Sequence, residues 1–156
     1  DEGILLAHPA LGITAMNVAP EYGTVETRAY LKLAEVEEML FNEGLISKKS
    51  ALKDCIRKES VASRRWEKWM TDDTVSRTTE ELMKDEEVIT VITDISGHYT
   101  FNNDAVRKEI ENMFSNLAEA GINAEEYVIY KLKESLDRYV ETFNLKGYTG
   151  RLKNQH

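Results

Sequence analysis

Gly12-Ile13-Thr14-Ala15-Met16-Asn17-Val18-Ala19-Pro20-Glu21-Tyr22-Gly23 is the stretch on which the fold turns. An apolar run here ends in polar groups and a turn, just before the first long helical pattern of the chain. Ile13 to Val18 reads as a buried strand, because the run is short and bounded by Gly12 and Pro20, and a helix interior does not hold proline. Asn17 and Glu21 then fall at the strand's C-terminal end. That is where α/β sheets carry ligand-contacting side chains, on an exposed loop above a rigid strand. The plainer alternative is a strand-to-helix turn in which both side chains satisfy nearby backbone groups.

The chain offers this one convincing strand and no hairpin signal. A lone strand leaves its backbone groups unpaired, so the rest of its sheet is expected from outside the segment. The chain opens at Asp1 without a methionine, which reads as a processed or truncated product.

The other segments read as helices. Val25, Ala29, Leu33, Val36 and Leu40 recur at helical spacing behind a Thr24 cap, and Gly44 closes that pattern. Ser47 is placed to cap a second helix through Leu52, Cys55 and Ile56, and a third, from about Ser60, places Trp66, Trp69 and Met70 together, with both tryptophans facing the core. Asp72-Asp73 can open a fourth. Val88 to Ile95 is rich in β-branched residues and ambiguous, and is assigned to a buried helix ending at Gly97. Asn103 caps a fifth helix, and Asn123 with Glu126 forms a capping box for the last. The division expected is 1–44 for the strand and its flanking helices, 45–147 for a helical extension, and 148–156 for a flexible tail.

Composition narrows the function classes. Twenty Lys and Arg against 28 Asp and Glu give a formal charge of -8, which repels a phosphate backbone and argues against nucleic acid. The lone Cys55 excludes an intramolecular disulfide and a cysteine-rich zinc module. No apolar run reaches the roughly 18 residues of a membrane span and no basic signal-peptide start is present, so a cytoplasmic location is expected. The basic residues concentrate between Lys48 and Lys68, where Arg64 and Arg65 immediately precede Trp66. That island reads as a wet cationic helix face with its tryptophans turned inward.

Asn17-Val18-Ala19-Pro20-Glu21 resembles the Asn-Val-Ala-Thr-Glu segment that closes the barrel of class II ketose-bisphosphate aldolases. The wider run from His8 to Thr27 is similar to the non-catalytic subunit family of D-tagatose-bisphosphate aldolase and its epimerase-like relatives. The resemblance implies an α/β, mostly helical chain: the C-terminal part of a (β/α)8 barrel with a helical extension. It implies a role in carbohydrate metabolism supporting an aldolase catalytic subunit, with a sugar or sugar phosphate as ligand. A divalent metal, zinc, would be held by upstream residues outside this chain, and no metal ligand is assigned within it.

By the same resemblance Asn17 reaches the ketose. Pro20 stands where the family has Thr, so the hydroxyl that helps hold phosphate does not carry over. Glu21 and the polar-aromatic pair His98 and Tyr99 complete the expected substrate-binding set, with His98 and Tyr99 able to bind a polyol or lend a proton. No residue is given a catalytic role. Two alternatives stand beside this reading: a metal-dependent ketose or ketose-phosphate epimerase of the same barrel family, and a non-enzymatic helical interaction domain.

Overall fold

The computed structural model describes residues 2–13, 15–147, 150 and 153. Among them there is no strand; the chain is a helical bundle. Its elements are α1 (Glu2–Ala10), α2 (Ala19–Asn42), α3 (Leu52–Ser63), α4 (Asp72–Val75), α5 (Thr79–Lys84), α6 (Glu86–Ser96), α7 (Asp104–Glu119) and α8 (Ala124–Thr142). Two 3₁₀ turns, Glu67–Trp69 and Gly97–Thr100, interrupt the series.

The expected strand, and with it the barrel portion, is therefore corrected. Thr14 lies outside the described residues, but Ala15 to Val18 form an irregular connection, and Ile13, Ala15 and Met16 are exposed. The physical reason lies in Pro20. A proline is excluded from a helix interior but not from the first turn, where its missing N–H has no partner to lose. Helix α2 accordingly begins at Ala19 with Pro20 in its first turn, five residues ahead of the expected Thr24 cap. With no second strand beside it, the apolar run has no ladder to join. Most of the tail, 148–156, falls outside the described residues.

α2 and α3 form the middle of the bundle. The main core takes Ala29 and Leu33 from α2, Leu52 and Ile56 from α3, Val106 and Leu117 from α7, and Val128 from α8. It thus draws residues from both sides of position 44. A second cluster gathers Val61, Leu82, Ile89 and Ile92 around Trp66, whose Nε1 donates to the Val61 carbonyl at 3.1 Å. Trp66 is fully buried as expected, whereas Trp69 is 51% exposed, because the chain leaves α3 through Arg64 in the left-handed region and re-forms only as a short 3₁₀ turn. The ambiguous run from Val88 is helical, with Ile89 and Ile92 one turn apart on the buried side.

Carboxylates from neighbouring helices do the capping that α3 lacks locally. Ser47 instead hydrogen-bonds Glu119 of α7, and α3 starts at Leu52 without a side-chain cap of its own. Glu37 of α2 accepts the Ser50 N–H at 2.9 Å and the Ser50 hydroxyl at 2.6 Å, and Glu109 of α7 accepts the Ala51 N–H at 2.6 Å. These anions satisfy donors that the start of a helix leaves open, and they favour its positive end. Asn116 also donates to Glu37, at 2.7 Å, which completes the partners of a carboxylate that is 1% exposed.

Candidate functional site

The first two turns of α2 are the junction at which the sequence-selected residues collect. Asn17 is exposed and its Oδ1 accepts the Ala19 N–H at 3.1 Å, so this side chain closes the turn into the helix. Glu21, one turn later, faces α8. Its carboxylate accepts from the Arg138 guanidinium, the Tyr139 hydroxyl and, at 3.3 Å, the Ser135 hydroxyl. Burial first, and the hydrogen bond to Glu21 second, raise the Tyr139 phenol above its ordinary value. Charge-assisted bonds of this kind are among the stronger ones, and three of them tie residue 21 to a helix more than a hundred positions away.

The opposite side of the same turns meets the end of α6 and the turn that follows it. Gly23 lies directly against the His98 ring. Thr24 donates to the Asp94 carbonyl at 3.3 Å, and Arg28 forms a two-pronged ion pair with the Asp94 carboxylate. Thr27 is buried against Gly97, where an added Cβ would lie 2.5 Å from the Thr27 methyl. Only glycine lets the 3₁₀ turn wedge this closely between α2 and α3. Residues 21 and 23 are roughly 200° apart around a helix, so Glu21 and His98 occupy opposite flanks of α2.

His98 is half-buried, its Nδ1 has no hydrogen-bond partner, and its ring lies tilted against Tyr99 with 3.9 Å between centroids. Desolvation, with the nearby Arg65 charge second, lowers its pKa and favours the neutral imidazole. Tyr99 is exposed and carries the Arg65 guanidinium over its ring at 4.7 Å. Of the four expected ligand residues only His98 and Tyr99 meet, and Asn17 and Glu21 each face other partners. Among the described residues no group of three or more His, Cys, Asp or Glu is placed to hold a metal ion.

Ser135, Arg138, Tyr139 and Asp94 belong to this junction and escaped the sequence reading. The spacing of the first three marks one face of a helix, but no local signal names Glu21 as their partner. Next to the junction the chain presents apolar side chains to solvent: Ile4, Leu6 and Leu11 are each at least 60% exposed, and Ile13 and Met16 are exposed as well. Leu5 alone of α1 is a buried apolar anchor, and α1 rests on α8.

No protein-family model matches the chain, and neither a curated protein nor a solved structure matches it. No helix among the described residues is long and apolar enough to cross a membrane.

Proposed function

We propose that this chain is a non-catalytic helical module that works by contact with a second protein, and that the partner is the catalytic subunit of a class II ketose-bisphosphate aldolase. The observation that carries this reading is the apolar arm of residues 4–16, with five large apolar side chains open to water within thirteen positions. Covering such side chains is favourable in proportion to the apolar area removed from water, and association is one way to do so. The resemblance of residues 8–27 to aldolase non-catalytic subunits supplies the partner. The engagement of Glu21 and Asn17 in holding α2 favours an accessory role over a catalytic one, because both side chains already have structural partners.

The test is to purify a class II tagatose-bisphosphate aldolase catalytic subunit with and without this protein, then follow complex formation and the half-life of its turnover. A stable complex with prolonged activity is expected. Leu6→Ser/Leu11→Ser/Ile13→Ser should abolish both while melting like the parent, since those positions are exposed. An aldolase whose activity and elution are indifferent to a stoichiometric excess of the protein would end this proposal.

A further inference from the structure

Helix α8 carries an outward apolar stripe besides the one it buries. Val128 and Ser135 are buried in the bundle, whereas Ile129 and Leu136, each one position further on, are 44% and 46% exposed. Val140 is half-buried, and Lys133 is exposed. Together Ile129, Lys133, Leu136 and Val140 recur at spacings of four, three and four, the a/d seam of a coiled coil. Asp137 borders this seam and is exposed as well. Neighbouring charges on the helix are engaged: Lys131 pairs with Glu134, and Arg138 with Glu21. Lys133 and Asp137 form no ion pair with any described residue.

We propose that this seam pairs α8 with α8 of a second copy of the chain, antiparallel about a two-fold axis. The order of the residues selects that occupant. With the helices antiparallel, Ile129 lies opposite Val140 of the second copy, and the same register puts Lys133 opposite its Leu136. The two-fold axis repeats both layers. Lys133 and the second copy's Asp137 are then offset along the common axis by one residue's rise, about 1.5 Å. The lysine stem covers Leu136 while its ammonium reaches the facing carboxylate, and symmetry makes that ion pair twice. A parallel pair would instead set Lys133 against Lys133 and Asp137 against Asp137, which like charge disfavours. A single lysine at an a position lowers the strength of such a pair but fixes its register and partner. The interface lies on α8 and does not depend on what the apolar arm contacts.

Sedimentation equilibrium over a wide concentration range tests the proposal, at physiological ionic strength where the repulsion between two chains of formal charge -8 is screened. The mass should rise with concentration from 17.9 kDa towards twice that value. Leu136→Ser should stay monomeric, with the melting temperature of the parent when both are measured at high dilution. Lys133→Asp and Asp137→Lys should each weaken self-association at least ten-fold, because each sets like charges opposite one another in both pairs. An equimolar mixture of these two variants should recover it, since both pairs between the chains then join opposite charges. Leu11→Ser/Ile13→Ser, which alters the apolar arm, should dimerise like the parent. A parent that remains monomeric at every concentration would overturn the assignment. So would a mixture that associates no better than its components, or an arm variant that loses as much as Leu136→Ser.

Discussion

Gly23 on α2 and His98 after α6 are packed so closely that a Cβ at position 23 would stand 2.7 Å from the imidazole Nδ1. The contact joins residues 75 positions apart and fixes how the 3₁₀ turn sits on the first helix. It also reverses the usual expectation for glycine in a helix. Gly23→Ala should stabilise α2 by about 0.5–1 kcal/mol from backbone entropy alone. The collision with His98 should instead make the variant less stable than the parent by about 1–3 kcal/mol, the range for overpacked sites. Urea unfolding of Gly23→Ala, His98→Ala and the double variant gives the coupling. A stabilised single variant, or strictly additive effects, would show that the two residues do not touch.

The same imidazole should make stability depend on pH. Its folded pKa is lowered from the ordinary 6.5, mainly by desolvation and secondarily by Arg65. Well above pH 6.5 the folded and unfolded chains both hold it neutral, so its contribution is fully present. As pH falls below that value the unfolded chain takes up the proton first, and stability is lost until the folded pKa is passed. The urea midpoint of the parent should therefore fall between pH 7.5 and 5.5 by more than that of His98→Gln. Parallel declines would remove the role assigned to this group.

Glu37 should matter far more than its neighbour Glu38. Its carboxylate is buried and accepts from Ser50 and Asn116, so Glu37→Ala strands those donors and frees Ser50 just ahead of α3. A loss of about 2–4 kcal/mol is expected, from a charged hydrogen-bond acceptor removed and donors left unsatisfied. Glu38 pairs with Lys49 at the surface, and its removal should leave the unfolding midpoint unchanged within error. Similar effects for the two substitutions would contradict the buried network.

The two tryptophans should report two environments. Trp69→Phe leaves only the fully buried Trp66, whose emission should be blue-shifted and resist iodide. Trp66→Phe leaves Trp69, half in water beside Lys68, and its emission should be readily quenched, though this variant also loses core packing. Efficient quenching in Trp69→Phe would place the second core cluster wrongly.

Elements whose signals are local were legible in the chain alone. Asn103 and Asn123 cap α7 and α8 through bonds to N–H groups two and three residues on, and Gly44 follows its helix at positive φ, because capping chemistry is settled within a single turn. Periodicity likewise placed Ala29, Leu33 and Ile56 in the core. It also singled out the junction at Asn17 and Glu21, but not what the junction does. Whether Ile13 to Val18 could be a strand depended on a neighbouring strand, and Pro20 is equally at home after a strand and in the first turn of a helix, so local rules left both outcomes open. How the helices pack decides that Glu21 turns to Tyr139, that Glu37 holds Ser50 ahead of α3, and that His98 lies on Gly23. Each of those facts joins residues whose proximity is set by how whole helices pack, and no short stretch of sequence carries that information.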